Sequence, residues 1–311
     1  MKAARIHRFG PPGIIGIDDL PRPMPDPNQV LIRVAAAGVG PWDALIREGR
    51  SVVSVPLPLT LGSDISGVVE LAGSDVHYFK PGDEVYGATN PDFVGGYAEY
   101  ALASASMIAK KPRSLNFEEA ASAPVVAVTA WQMLFERANA QRGQSILVHG
   151  AAGNVGGYAV QLARKAGLHV FATAASKDIS YVQGLGAETV LDYKTTRFEE
   201  MMPQVDIVLD TLGGDTRSRS FQVIRPGGIL VSAVPGASSG VNQPASVRSV
   251  FFLVEVTTQR LERLTEMFDR GELKVRVGTV LPLDRAREAH EMLGGAPHKS
   301  GKIILSIADM T

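Results

Sequence analysis

With 311 residues, the chain is long enough for two domains with substantial cores. Hydrophobic residues make up 45% and charged residues 20%, as in an ordinary globular protein, and the formal net charge of -1 leaves no positive field to hold nucleic acid or an anionic membrane. Cysteine is absent, which excludes disulfides, thiolate catalysis and Cys-ligated zinc or iron–sulfur centres and fits a reducing compartment.

Residues Met1 to Arg8 carry scattered charges and no apolar run of signal-peptide type, so a cytoplasmic protein is expected. The proline-studded stretch Pro21 to Pro27 cannot be helical and reads as an extended connection. Strands are expected at Val30–Val34, at Gly62–Leu71 and at Gly95–Leu102, with a turn at Pro81–Glu84 and a short helix over Trp42–Glu48. Closely spaced turns and short strands predict a compact, barrel-like first domain. Ala120 to Phe135 is apolar, but it contains Pro124, Thr129 and Gln132 and is too short to span a bilayer; it reads as buried helix. The uncharged stretch from Pro226 to Val247 is broken by Gly and Pro and is loop-rich, so no membrane segment is expected.

From about Ala123 the rhythm becomes alternating helix and strand. The apolar run Ser145–Val148 ends in His149-Gly150-Ala151-Ala152-Gly153-Asn154-Val155-Gly156 and opens into an amphipathic helix. A strand, a tight Gly turn and a helix N-terminus together hold a dinucleotide pyrophosphate on unpaired N–H groups. Gly153 lets the backbone approach the phosphates, and Gly156 lets the helix pack on its strand. Ala151 stands where the usual pattern has its first Gly, so this is a variant. Strands at His169–Ala174, Thr189–Leu191, Val205–Asp210 and Ile229–Ser232 follow, with helices at Ile179–Leu185 and Ser218–Ile224 and a turn at Pro226–Gly228. Uninterrupted apolar strands separated by helices imply a parallel sheet covered on both faces, an α/β doubly wound (Rossmann) domain. Val250–Val254 is expected as its sixth strand, helix Gln259–Arg270 leaves the unit, and Gly301–Ile307 returns as a strand to the first domain.

Several motifs then align with one family. Gly62-Ser63-Asp64-Ile65-Ser66-Gly67-Val68-Val69, Gly82-Asp83-Glu84-Val85, Gly95-Gly96-Tyr97-Ala98-Glu99-Tyr100, Thr129-Ala130-Trp131, the nucleotide turn, Asp210-Thr211-Leu212-Gly213-Gly214 and Gly301-Lys302-Ile303-Ile304-Leu305 occur in that family's order. The chain resembles a zinc-free medium-chain dehydrogenase/reductase of the quinone oxidoreductase (zeta-crystallin-like) branch, over nearly its whole length. The resemblance implies a GroES-like, β-barrel-type catalytic domain from residues 1–122 and 271–311, around a Rossmann coenzyme domain at 123–270.

The second Rossmann strand ends Thr173-Ala174-Ala175-Ser176-Lys177, with no carboxylate at its tip to take a ribose hydroxyl. Ser176 and Lys177 suit a 2′-phosphate instead, and resembling proteins use equivalent Ser/Lys positions and a Tyr like Tyr193. NADPH is therefore the expected coenzyme, although Asp178 works against it. The competing reading is a helix-capping Ser176 and a solvated Lys177. The coenzyme set comprises Gly150, Ala151, Ala152, Gly153, Asn154, Val155, Gly156, Ser176, Lys177, Tyr193, Leu212, Gly213, Val234 and Lys302. Thr129, which resembles a nicotinamide contact, joins it; a helix-start hydroxyl is the alternative. His149 reads as a satisfied structural imidazole, and no metal is expected.

Without a Lewis acid, a conjugated acceptor is easier to reduce than a simple carbonyl, because charge spreads onto its oxygen. This points to an NADPH-dependent reductase of quinones or α,β-unsaturated carbonyls. A metal-free alcohol/aldehyde oxidoreductase and a non-catalytic NADPH-binding regulatory protein are the alternatives. In Gly38-Val39-Gly40-Pro41-Trp42-Asp43-Ala44-Leu45-Ile46-Arg47-Glu48-Gly49, Asp43, Arg47 and Gly49 fit the family pattern, whereas Gly40 replaces its Asn and Leu45 its Tyr. Asp43, Trp42 and Leu45 are the substrate-pocket candidates, with Trp42 either a planar-ligand surface or core. The Val250–Val254 edge and the resemblance imply a homodimer; a buried internal strand is the other explanation.

Overall fold

Every strand from Ser145 to Phe251 runs parallel to its neighbours. The computed structural model describes residues 1–53, 55–236 and 243–309; part of the expected loop-rich stretch, residues 237–242, lies outside them. Contacts divide the chain into Met1–Val125 with Glu255–Thr311, and Val126–Val254.

In the second unit, strands β1 (Ser145–Val148), β2 (His169–Ala174), β3 (Thr189–Asp192), β4 (Val205–Asp210), β5 (Ile224–Ser232) and β6 (Arg248–Phe251) form one sheet in the order 3-2-1-4-5-6. The chain reverses its winding at β1 and β4, the place where doubly wound sheets open a ligand crevice at their strands' carboxyl ends. Ile146, Leu147 and Val148, like all of β4, are buried on both faces, which is why they read as unbroken apolar runs. Several boundaries differ from expectation: the helix expected over Ser218–Ile224 is Gly214–Ser220, and Ile224 already begins β5. Pro226, Gly227 and Gly228 lie inside β5, where the register against β4 shifts between Val205 and Ile207; a bulge carries glycine and proline that an ordinary ladder excludes. The sixth strand begins at Arg248 and stops at Phe251, because Phe252 turns inward beneath the Arg137 guanidinium, 5.1 Å from its ring centre.

The first unit holds a seven-stranded sheet, centred on the long strand Gln29–Val39, and a three-stranded one. Strand Lys302–Ser306 pairs antiparallel with residues Ala36–Val39, so both ends of the chain build one sheet. Its apolar core runs from Ala4 and Ile6 through Ile32, Ile65 and Val85 to Leu305. The strand expected at Gly95–Leu102 is instead Tyr100–Ser104; Gly95–Ala98 form a loop whose Tyr97 N–H donates to Leu61 O at 2.8 Å. Glu84–Ala88 extends into a strand from the expected turn. Helix Thr258–Asp269 belongs to this unit, whereas the sequence drew the boundary at residue 270: Tyr86 Oη donates to Leu261 O at 2.9 Å, and Thr258 Oγ1 to Ile108 O at 2.7 Å.

The apolar stretch Ala120–Phe135 is buried as expected but is not one helix. Pro124 starts a new helix (Pro124–Trp131), which follows Phe117–Ala121 and passes into a π-helical stretch over Gln132–Arg137. Among the described residues, no helix is long and apolar enough to cross a membrane.

Candidate functional site

The nucleotide turn is built for close approach. Gly150 sits at φ +64°, a conformation that favours glycine, and a Cβ there would lie 2.5 Å from Thr211 Oγ1. A Cβ on Gly156 would lie 2.2 Å from Gly150 O, so the helix Asn154–Lys165 rests directly on the turn's backbone. Gly153 caps this twelve-residue helix with no side-chain hydrogen bond, leaving its first N–H groups to a ligand. Ala152, Gly153, Asn154 and Val155 reach the surface, whereas Ala151 is buried and donates its N–H to Thr173 O at 3.2 Å. These residues fit a pyrophosphate. His149 is fully buried, its ring nitrogens 3.0 Å from the hydroxyls of Thr173 and Ser220 and its ring edge-on to Phe198. Burial holds it down to about 4. It is a structural imidazole.

At the tip of β2, Ser176 and Lys177 are exposed on a short 3-10 turn, Ser176–Asp178. Ser176 caps no helix. Its hydroxyl donates to Asp192, the last residue of β3 and the register partner of Ala174. The Ser176 hydroxyl and the Lys194 N–H hold the Asp192 carboxyl below its ordinary range. Tyr193 follows, 58% exposed. Asp192 thus places a carboxylate beside the tip of β2 that β2 alone did not reveal; its signal was an acidic residue directly before Tyr193. Beyond β4, Leu212 is exposed and Gly213 adopts φ +73° against Val234. Thr129 is buried on helix Pro124–Trp131.

In the first unit, helix Pro41–Arg47 carries the pocket candidates. Asp43 is wholly buried: its Oδ2 accepts the Gly40 N–H at 2.8 Å and the Tyr97 hydroxyl at 2.9 Å. Burial pushes its carboxyl up to about 7 against those bonds. It organises the helix start, while its Oδ1 is buried without a hydrogen-bond partner. Trp42 and Leu45 are half-buried. Trp42 Nε1 donates to Ser63 Oγ at 3.1 Å, and the Lys302 ammonium lies 4.3 Å from the centre of its ring. Lys302, expected among the coenzyme residues, is 1% exposed and paired with buried Asp64 at 3.0 Å. Asp64 Oδ1 accepts the Val125 N–H, and burial raises its carboxyl despite the ammonium beside it. The structure therefore commits Lys302 to backing Trp42. His290, which sequence reading passed over, packs edge-on to Tyr97 and bonds Arg47 Nη1 at 2.8 Å. Among the described residues, no three His, Asp or Glu side chains converge on a point that could hold a metal ion.

The family models for an alcohol dehydrogenase GroES-like domain and a zinc-binding dehydrogenase match residues 26–113 and 185–305. The chain is 32% identical to the quinone oxidoreductase of Mus musculus, over 98% of this chain and 97% of that one. It belongs to the medium-chain dehydrogenase/reductase family, among the quinone oxidoreductases. Of solved members of this family, the Coxiella burnetii quinone oxidoreductase superposes with a TM-score of 0.92 at 34% identity, covering 99% of both chains. A structure described as an NAD-dependent alcohol dehydrogenase superposes at 0.90 with 30% identity, over 99% of this chain and 100% of that one. This medium-chain dehydrogenase/reductase is accordingly an NAD(P)H-dependent oxidoreductase acting on a small molecule.

Proposed function

We propose that the protein is an NADPH-dependent, zinc-independent reductase of quinones or α,β-unsaturated carbonyls, working as a cytoplasmic homodimer. The observation that carries this reading is the uncapped N-terminus of helix Asn154–Lys165 on a turn into which no side chain at 156 would fit, with exposed Ser176 and Lys177 at the tip of the adjacent strand. A bound reduced nicotinamide supplies hydride; the chain's part is to hold it, orient the acceptor and exclude water. Helix N–H groups take the pyrophosphate, and Ser176, Lys177 and Tyr193 take the 2′-phosphate. The half-buried indole of Trp42, held by Ser63 and Lys302, offers a planar acceptor an apolar surface. The names of its quinone oxidoreductase relatives support this substrate class. Solvent or a side chain completes protonation of the reduced product.

The zinc-independent part rests on a sequence without cysteine. The dimer reading rests on β6, outermost in its sheet, with Phe251 and Leu253 exposed beside it. A second coenzyme reading has its own support: Asp192, bonded to Ser176, suits the ribose hydroxyls of NADH. Oxidation of NADPH and of NADH is to be followed with a panel of quinones, enones and simple aldehydes, with chelator present. Turnover of conjugated acceptors with NADPH supports the proposal. Turnover of aldehydes alone, zinc-dependent activity, or tight binding without turnover refutes it.

A further inference from the structure

Arg217 is buried on helix Gly214–Ser220 and spends its guanidinium on two loops. Its Nε donates to Asp210 Oδ2 at 2.7 Å, its Nη1 to the Gly236 carbonyl at 2.6 Å, and its Nη2 to Ser232 Oγ at 2.6 Å and the Val234 carbonyl at 2.5 Å. Asp210 holds the other loop: its Oδ1 accepts the N–H groups of Leu212 at 3.0 Å and Gly213 at 2.8 Å. Burial works to raise the Asp210 carboxyl, yet the Gly213 N–H and the guanidinium keep it below its ordinary range. The loops touch, for a Cβ on Gly213 would lie 3.2 Å from Val234 Cγ1. One ion pair therefore fixes the backbone leaving β4 and the backbone leaving β5. Both lie at strand carboxyl ends, the rim of the ligand crevice in a sheet of this order.

A buried ion pair is a poor stabiliser beside apolar packing of the same volume. What this one supplies is direction: it turns the Val234 and Gly236 carbonyls inward and fixes which atoms of both loops the crevice receives. We propose that Arg217 is a positioning residue for the nicotinamide half of the coenzyme, acting through Leu212, Gly213 and Val234. The proposal rests on the coenzyme reading above. It places Arg217 apart from the phosphate contacts of the Gly150–Gly156 turn and of Ser176 and Lys177, which anchor the other half.

The test is calorimetric binding of NADPH and of 2′-phospho-ADP-ribose, the same molecule without its nicotinamide ring, to the full chain. Arg217→Met is expected to weaken NADPH by about tenfold or more, because loops released from the guanidinium must be ordered again on binding, and to leave the fragment's affinity unchanged. Ser232→Ala, which removes one small hydroxyl from the network, is expected to act in the same direction and is read in its own right if the Arg217 protein does not fold. Arg217→Lys is expected to recover part of the loss. Equal weakening of both ligands, or no weakening of either, overturns the positioning role. A wild-type protein that binds neither ligand removes the coenzyme reading itself, and this proposal with it.

Discussion

The indole of Trp42 occupies the space that a side chain on residue 40 would need: a Cβ on Gly40 would lie 2.4 Å from Trp42 Cη2. Where the family pattern has an Asn, Gly40 thus leaves room for the large residue at 42. Gly40 itself is extended, at φ -129°, so the need for glycine here is space and not backbone freedom. Gly40→Ala is expected to destabilise the protein by about 1–3 kcal/mol through overpacking. In a Trp42→Ala background the same change should cost little, a coupling that a double-mutant cycle in urea reads directly. Additive costs would show that the two residues are independent.

Lys302 and Asp64 are both buried and hold each other at 3.0 Å. Removing one partner strands the other charge, at a cost of about 3–5 kcal/mol, whereas replacing both with apolar groups is close to neutral. Lys302→Met is therefore expected to lower the unfolding midpoint sharply, and Lys302→Met with Asp64→Leu to recover much of it. Because the ammonium lies over the Trp42 ring, the single variant should also change the tryptophan emission of the folded protein. Two single variants no worse than the double would contradict the pairing.

Buried titratable groups make stability depend on pH, and three of them can be read one by one. Burial holds His149 to about 4 and, helped by Arg47, His290 to about 3, from 6.5 when exposed. Depressed pKa values mean that the unfolded chain binds protons first, so the stability these histidines contribute is full above pH 6.5 and is lost as pH falls toward 4 and 3. Asp43, raised to about 7 from 3.8, acts in the opposite sense: its contribution is full below 3.8 and is lost as pH rises through 7. Each group changes stability by up to about 1.4 kcal/mol per pH unit, and Asp64, which burial also raises, acts in the same sense as Asp43, so the groups are separated by variants and not by the wild-type slope. Between neutral pH and pH 4.5 the urea midpoint of His290→Gln should fall less than that of the wild type, and that of Asp43→Asn should fall more. A slope unchanged in both variants would remove these groups from the account.

The strand, Gly turn and helix were legible because they are contiguous, and Gly156 packs as its position implied, whereas the constraint at Gly150 was not foreseen. The parallel sheet was legible because strands buried on both faces have unbroken apolar runs, as in Val205–Asp210. Less could be read in the first unit, where partners are far apart in sequence. Tyr97 lies over Gly62, bonds Asp43 and packs on His290, and no spacing rule links those positions. Asp43 and Lys302 matched family motifs, but their burial in bonded pairs with Tyr97 and Asp64 could not be read from spacing. Asp192 ends the third strand, so the tip of the second strand gave no sign of it.

On the proposed coenzyme reading, the preference between NADPH and NADH turns on Lys177 and Asp192, which would pull on the 2′ position in opposite directions. Ser176 donates its hydroxyl to Asp192 in the protein described here, so a 2′-phosphate must win that hydroxyl from a carboxylate and tolerate the negative charge beside it. Lys177, exposed on the same turn, supplies the attraction. Lys177→Ala is expected to weaken NADPH by about tenfold, the loss of one charge-assisted phosphate contact at an exposed position, and to leave NADH nearly unchanged. Asp192→Asn should strengthen NADPH by relieving repulsion and freeing Ser176, and should weaken NADH if the carboxylate takes a ribose hydroxyl. Salt provides an independent check, since an exposed charge contact is screened: the NADPH advantage should shrink as ionic strength rises in the wild type and not in Lys177→Ala. Equal responses of the two coenzymes to both substitutions would show that neither residue meets the 2′ position.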